Sequence, residues 1–387
     1  MSSFLNFLVH TSRDAYNLVF PVRNAKELYA FAFLVHPRDE RDMVRRFAFL
    51  AKAPKWVRKG IQHYFWPVTV SKITGLISNI ENAEVPGFVI SIPMTADEML
   101  KHRERAKKQI VRATRLARNK GAKIVGLGAL TSSLSRGGLD LLGVPGIAVT
   151  TGHAYTGHTV TETLLRQLRN AQVSLDTCPI AIVGAAGSVG SISAEILVQA
   201  GITTLYLVDI DRKMDAVKDL TDRLTATHSN ISIDYGSDMA VLKKAVGIIT
   251  ATNTPDALVK DIHVSPGTIL VDDAQPSDIS PELYDKDDVV VLEAGAVRTP
   301  NISSNFNMGL ANRNDNFCCL AEVLILASNK HVHNFVINRA TLKDVDHIKK
   351  GGDALGFTLA DPQNEHGLVA PEKIAHVATL LRARCTS

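Results

Sequence analysis

The stretch Ile180-Ala-Ile-Val-Gly-Ala-Ala-Gly-Ser-Val-Gly190, continued by Ser191 to Ala200 and then Gly201, decides the reading of this chain. It reads as strand, tight glycine turn, helix. The strand is an apolar run, as expected of one buried on both faces. The turn has the spacing G-x-x-G-x-x-G at Gly184, Gly187 and Gly190. Glycines there allow positive φ, let the backbone approach a pyrophosphate and let the helix pack closely on the strand. With Ala185, Ala186, Ser188 and Val189 they form the expected phosphate cradle, at a helix start whose free N–H groups face the anion. Gly201 is a helix stop. Thr204 to Val208 is a second strand, and Asp209 stands where a carboxylate meets the adenosine ribose hydroxyls. These features together indicate a dinucleotide-binding domain.

Downstream the pattern keeps alternating. A helix is expected from about Lys213 to Thr227, then a crossover through Ile231 to Tyr235 and a helix around Met239 to Ala245. Gly247 to Ala251 reads as a buried strand ending in the polar loop Thr252-Asn-Thr-Pro-Asp256. In a doubly wound fold that loop lies at the carboxyl edge of the sheet, where ligands bind, so Thr252 and Asn253 are candidates for the nicotinamide half of the cofactor. Thr268 to Asp272 and Val289 to Leu292 are further strands. Alternation at this spacing means a parallel sheet. Arg212, close to Asp209, is a candidate partner for a ribose 2′-phosphate, so the cofactor is expected to be NADP(H) or NAD(H).

Upstream, Lys123 to Gly128 and Ile147 to Thr151 read as strands, and Gly152 to His158 as a loop before a helix from Thr159 to Gln172. His153, Tyr155 and His158 in that loop are candidate proton donors. Phe88 to Ile92 is a strand, followed by Thr95-Ala-Asp-Glu98, a capping box, and a helix to about Asn119. Nine Lys or Arg residues lie between Lys101 and Lys120 against one acid, Glu104. Such a run is either a solvated face or a docking surface for an acidic partner. Ala25 to Leu34 is expected to be a buried helix ended by His36-Pro37, and Asp39 to Leu50 a charged helix. Both tryptophans, in Pro54 to Gly60 and His63 to Pro67, stand beside cations. That suggests a small domain's core and surface, or a cationic, aromatic face for peripheral contact with a lipid or an acidic carrier.

The length of 387 residues accommodates two domains, and 45% hydrophobic with 21% charged residues is ordinary for a globular protein. A net charge of +4 gives no case for nucleic acid. Four cysteines without C-x-x-C spacing make neither a disulfide framework nor a zinc site, so no metal is expected and a reducing cytoplasm fits. The first ten residues lack a basic n-region and do not read as a signal peptide. No apolar run is long enough to span a membrane.

Asn314 to Ala327 is expected to be a helix capped by Asn314 or Asp315, with Cys318 and Cys319 in its first turn or just beyond. A thiol there lies at the positive end of the helix dipole, which favours the thiolate. Paired cysteines at a helix start suit reduction of a thioester, in which a cysteine first takes the acyl group; small buried hydrophobes are the plainer interpretation. Further helices are expected at Thr341 to Gly351 and Pro371 to Arg384.

Six segments, in order, resemble the long-chain fatty acyl-(acyl carrier protein) reductases of cyanobacterial type, whose cofactor domain is similar to those of glutamyl-tRNA reductases and shikimate dehydrogenases. They are Gly126 to Ser132, Val149 to His153, Ile182 to Gly190, Ile269 to Pro276, Val291 to Gly295 and Phe317-Cys-Cys-Leu-Ala-Glu322. The resemblance runs from about residue 88 to about 360. It implies that Cys319 attacks a fatty acyl thioester, of acyl carrier protein or coenzyme A, and that hydride from NAD(P)H releases a fatty aldehyde. The sequence departs from the family at His153 and Tyr155, and at Asp273-Ala-Gln-Pro-Ser277, where a lysine is missing. The expected architecture is α/β: an N-terminal α/β substrate or acyl-binding domain over residues 1–150, a Rossmann-like doubly wound parallel sheet over 151–310, and C-terminal helices over 311–387 carrying the cysteine motif. The rivals are a shikimate- or quinate-type dehydrogenase acting on a small alcohol or ketone, and an NAD(P)-binding sensor or scaffold without turnover.

Overall fold

A computed structural model describes residues 3–254, 256–305 and 309–386. Pro255 of the expected Thr252–Asp256 loop, and Met1 and Ser2 of the first ten residues, lie outside the described residues. The chain forms two compact units. One comprises residues 1–152, 299–338 and 350–357, the other residues 153–298, 339–349 and 358–387. The C-terminal segment 311–387 is thus shared between them.

In the first unit the central strands are β1 (Ala30–Val35), β2 (Val68–Thr74), β3 (Gly87–Ser91), β4 (Ala122–Leu127) and β5 (Ala148–Thr150). The order across the sheet is β2-β3-β1-β4-β5, with the short strand Ser303–Ser304 outside β2. β3, β1, β4 and β5 run parallel, and β2 is antiparallel to β3. The expected helix over Ala25 to Leu34 is therefore wrong: its second half is β1. A short, uninterrupted apolar run fits a buried strand as well as a buried helix. Phe31, Ala32, Phe33 and Leu34 are all buried, as in a strand covered on both faces. The charged helix after it shortens to Glu40–Arg46, with Asp39 accepting from the N–H groups of Arg41 and Asp42. The helix expected from Thr95 breaks at His102 into Ala96–Lys101 and Arg103–Asn119. Thr95 caps the first piece by accepting from the Glu98 N–H. The second piece lays Ala106, Ile110, Ala113, Leu116 and Ala117 on the sheet and turns most of its cations outward.

The second unit holds β6 (Ile180–Val183), β7 (Thr204–Val208), β8 (Ser232–Gly236), β9 (Gly247–Thr250), β10 (Ile269–Asp272) and β11 (Val290–Glu293). All are parallel, in the order β8-β7-β6-β9-β10-β11. Numbered along this unit, that is 3-2-1-4-5-6, the dinucleotide-binding order, whose direction reverses between β6 and β9. The fold class expected from the sequence is thus correct. Alternate residues of each strand feed two cores: Ile180, Ile182, Leu205, Leu207, Ile249 and Val271 on one face, Ala181, Val183, Val208, Ile248, Leu270 and Val291 on the other. α-Helices cover the first face. The second is closed by short 3-10 segments, among them Met239–Lys244, where an α-helix is expected from sequence.

The helix leading into β6 also differs from expectation. It spans His153–Asn170, so the residues expected in a loop form its first turns. Gly157 prompts the loop reading, yet it serves helix packing: a Cβ there would fall 2.5 Å from Ile192 Cγ2. Among the described residues, no helix is long and apolar enough to cross a membrane.

Candidate active site

The cofactor cradle of the second unit grows from the end of β6. Gly184 has φ +88°, and a Cβ on it would lie 2.6 Å from the Ala251 carbonyl oxygen just beyond β9. A Cβ on Gly190 would lie 2.3 Å from the Gly184 oxygen. The first glycine therefore sets the turn at the topological switch point, and the third lets the helix Ser188–Gln199 sit against it. Gly187 is the helix N-cap with ordinary negative φ. The Ser188 hydroxyl, on the first helical residue, is buried and lacks a hydrogen-bond partner. A diphosphate at this helix start would satisfy it along with the open N–H groups of the first turn. The cradle fits a dinucleotide.

Asp209 lies at the end of β7, and its carboxylate accepts from Ala186 N–H and Ile210 N–H, both at 2.9 Å. The cation beside it is Lys213, 3.3 Å away, while Arg212 is exposed. A second cation missed in the sequence is Arg339, which donates to the Ala186 carbonyl at 3.3 Å. No local pattern could have found it, since it comes from 153 residues along the chain.

Thr252 follows β9, and both its N–H and its hydroxyl donate to Asp278. Asn253 beside it is exposed. Asp272, the last residue of β10, accepts from Thr250, Ala274 N–H and Ser277. Ser277 stands where the resembling family has its lysine. Burial lifts the Asp272 carboxyl above the usual carboxylate range. Burial, with the Asp272 charge nearby, raises Asp278 to about 7. This carboxyl pair at the carboxyl edge of the sheet was not anticipated; Asp272 alone was noted, as a strand end.

The first unit holds the thiol. The helix Cys318–Ser328 is capped by Phe317, not by Asn314 or Asp315. Asp315 instead starts a short strand, Asp315–Phe317, and accepts from Asn312. The helix packs on β1 and β4, with Val323 above Gly126. It is apolar nearly all round, as a helix inside a core must be. Of its eleven residues only Cys319 is not buried. Cys319 is the second residue, at the end where the helix dipole favours negative charge on sulfur.

One turn on, Glu322 is completely buried. Its Oε1 accepts from the Thr150 hydroxyl and, at 3.0 Å, from Gly152 N–H. Glu322 thus pins the Thr150-Thr151-Gly152 turn against the helix. Gly152 has φ +82°, and a Cβ there would lie 2.4 Å from Cys319 Cβ. Thr151 contributes a buried hydroxyl without a hydrogen-bond partner, one residue from the glycine that covers Cys319. Neither Thr151 nor Glu322 was singled out by role from sequence, although both stand inside segments that carry the resemblance. His153 and Tyr155 follow at the start of the helix His153–Asn170. Tyr155 is buried, its ring 5.8 Å from that of His158. Among the described residues no group of three or more His, Cys, Asp and Glu could hold a metal ion.

Residues 166–299 match the family described as shikimate/quinate 5-dehydrogenase. The chain is 23% identical over 342 residues to the aminotransferase PigE of a Serratia species, covering 84% of this chain and 39% of that protein. It therefore spans about two-fifths of the length of that curated relative. Among solved structures, an NAD-dependent malic enzyme from Thermotoga maritima overlaps 98% of this chain and 89% of its own, at 10% identity and TM-score 0.41. Quinate dehydrogenase from Corynebacterium glutamicum, in complex with NAD, overlaps 63% and 79%, at 15% identity and TM-score 0.32. Overlaps this loose carry no argument about chemistry. The sheet order, the glycine turn and the family match together define a Rossmann-type NAD(P)(H)-binding domain of the dehydrogenase and reductase class.

Proposed function

We propose that the protein is an acyl thioester reductase: it transfers an acyl group from a carrier thioester to Cys319 and releases it as an aldehyde at the expense of NAD(P)H. The observation that carries this reading is Cys319 itself, the one residue of a buried apolar helix that is not buried, placed in the first turn. The Cys319 sulfur attacks the thioester carbonyl, the bond to the carrier sulfur breaks, and the carrier leaves as its thiol. The Thr151 hydroxyl beside Gly152 is the donor offered to the carbonyl oxygen as it gains charge. Bound NAD(P)H supplies the hydride that reduces the acyl carbon. A proton, assigned to His153 or Tyr155, completes a hemithioacetal on Cys319, whose collapse frees the aldehyde and restores the thiol. Gly184 to Gly190, Asp209, Thr252 and Asn253 hold the cofactor in this scheme. Lys213, not Arg212, is the cation set beside the ribose-binding acid.

The carrier is an acyl carrier protein or coenzyme A. The outward cations of Arg103–Asn119, such as Lys108, Arg112 and Arg115, suit an acidic carrier. The relative named an aminotransferase agrees with this chemistry, because aldehydes are one class of substrate that transamination consumes. The match to shikimate/quinate 5-dehydrogenase over residues 166–299 favours a second reading, oxidation of a small alcohol. That reaction needs no cysteine.

Incubation with a long-chain acyl thioester, without reduced cofactor, separates the two readings by intact mass. Gain of one acyl group, absent in Cys319→Ala and discharged as aldehyde by NADPH or NADH, is the expected result and identifies the cofactor used. If no thioester of either carrier class acylates the protein, the reductase reading fails.

A further inference from the structure

The first 120 residues hold 21 Lys or Arg against 10 Asp or Glu, whereas the whole chain holds 43 against 39. The excess positive charge is therefore confined to this part, and the rest of the chain is net acidic. Large exposed apolar side chains gather in the same part. Trp56 is 75% exposed and Tyr64 81%, with Tyr16, Val19 and Phe20 also exposed.

The helix Lys55–Tyr64 orders these groups. Its inner face is fixed. Arg58 pairs with Glu40 at 3.0 Å and donates to the Ala53 carbonyl at 2.8 Å. Gln62 is buried and donates to the Met43 sulfur. On the outer face, Trp56, Gly60 and Tyr64 recur every four residues, and Lys55, Lys59 and His63 form the adjoining row. The helix has no acidic residue, and neither lysine makes an ion pair among the described residues. The helix is tied into the unit at both flanks. Arg105 donates to His63 at 2.6 Å, and Trp66 donates to the Thr11 carbonyl at 3.0 Å. The helix Ser3–Asn17 is in turn tied to Arg103–Asn119 by Asn119, which donates to the Asn17 carbonyl at 2.8 Å.

We propose that the outer face of Lys55–Tyr64 is a peripheral binding surface for anionic lipid bilayers. Aromatic rings with polar edges settle at the headgroup boundary, and lysines beside them reach anionic headgroups while their stems stay in the apolar layer. A rigid row of two aromatics flanked by lysines, with no acid to repel phosphate, has both parts of that chemistry. An acidic protein partner would use the cations alone and leave Trp56 and Tyr64 without a role. The surface is independent of the reductase reading.

The test is flotation of the full chain with vesicles of phosphatidylcholine, with and without phosphatidylglycerol, at low and high salt. Tryptophan fluorescence is followed in parallel. Trp66 is stacked on Phe65 with ring centroids 4.4 Å apart, so the exposed Trp56 is the reporter. Expected are binding only to the anionic vesicles, reversal by salt, and a blue shift. Lys55→Gln with Lys59→Gln weakens binding about 25-fold, from roughly fivefold for each lysine at an anionic surface. Trp56→Ala weakens it about tenfold or more. All these side chains are exposed, so thermal midpoints of the variants should match the parent. The proposal is overturned by equal binding to both vesicle types, or by undiminished flotation of the lysine variant. Absence of flotation would also overturn it, and retention on an immobilised acidic acyl carrier protein that is lost in the lysine variant would then assign the face to a protein.

Discussion

Replacing Gly152 by alanine tests the cysteine site most directly. A Cβ there would lie 2.4 Å from Cys319 Cβ and 2.6 Å from Cys319 Cα, where ordinary contact begins at 3.4 Å. The overlap is about 1 Å, and the atoms met are backbone and Cβ, which cannot rotate away. The turn is held by Glu322 and by Thr151 N–H donating to the Val336 carbonyl, so the first turn of the cysteine helix is displaced instead. The left-handed φ of +82° adds about 1–2 kcal/mol of strain for any residue with a Cβ, and overpacking adds about 1–3 kcal/mol. Stability should therefore fall by roughly 2–5 kcal/mol, read by denaturant unfolding. A nucleophile moved by 1 Å loses on the order of 100-fold in rate. Under conditions where the variant is folded, the rate of acyl transfer to Cys319, followed by intact mass, should drop by about that factor. Binding of NAD(P)H to the glycine turn should be unchanged. A folded Gly152→Ala protein acylated within about twofold of the parent rate would refute the claim that this close approach positions Cys319.

Glu322→Ala leaves the Gly152 N–H and the Thr150 hydroxyl without their acceptor inside the core, at about 1–3 kcal/mol each. Glu322→Gln keeps an acceptor and should recover most of that loss in the same unfolding experiment. Asp278 gives a pH dependence. Its folded carboxyl titrates near 7 because of burial, well above its unfolded value, so its neutral form favours the fold. That contribution is complete below about pH 4 and disappears as pH rises through 7, amounting to roughly 4 kcal/mol at most. The unfolding free energy of Asp278→Asn should lack this decline between pH 4 and 8; an unaltered slope would remove the assignment. Cys178 is buried, and its thiol is pushed up to about 12 by that burial, with Cys385 3.8 Å away. Cys178 should resist iodoacetamide at pH 8 in the folded protein and react once the chain is unfolded, as peptide mapping would show.

The dinucleotide half of the molecule was legible because its cues are local. An apolar run, glycines at fixed spacing and an acid at the next strand end are read within thirty residues, and the parallel sheet follows from the alternation. The misreadings were local ambiguities. Phe31 to Leu34 suit helix or strand equally until the neighbouring strands β3 and β4 are known. Gly157 looked like a loop residue, although it marks where a second helix comes close. The choice between Arg212 and Lys213 depended on the phase of one helical turn. The cysteine position was legible as a helix start, but its surroundings were not. Thr150, Gly152 and Glu322 meet across some 170 residues, and Arg339 reaches Ala186 across 153. Contacts at that separation leave no periodicity to read.

The first unit is discontinuous, which bears on how the protein is born. β1, β4 and β5 are made early, but the helix that packs on β1 and β4, Cys318–Ser328, leaves the ribosome only after the whole parallel sheet of the second unit has been translated. At 5–20 residues per second, β5 waits roughly 10–30 seconds for Glu322. Over that interval Gly126 lacks Val323 and the Thr150 hydroxyl lacks Glu322, and the apolar underside of the young sheet is open to chaperones. The helix that carries Cys319 covers the sheet in the same event that brings the thiol to its place. A ribosome-released fragment ending before residue 318 would carry the glycine turn but neither a closed first unit nor Cys319.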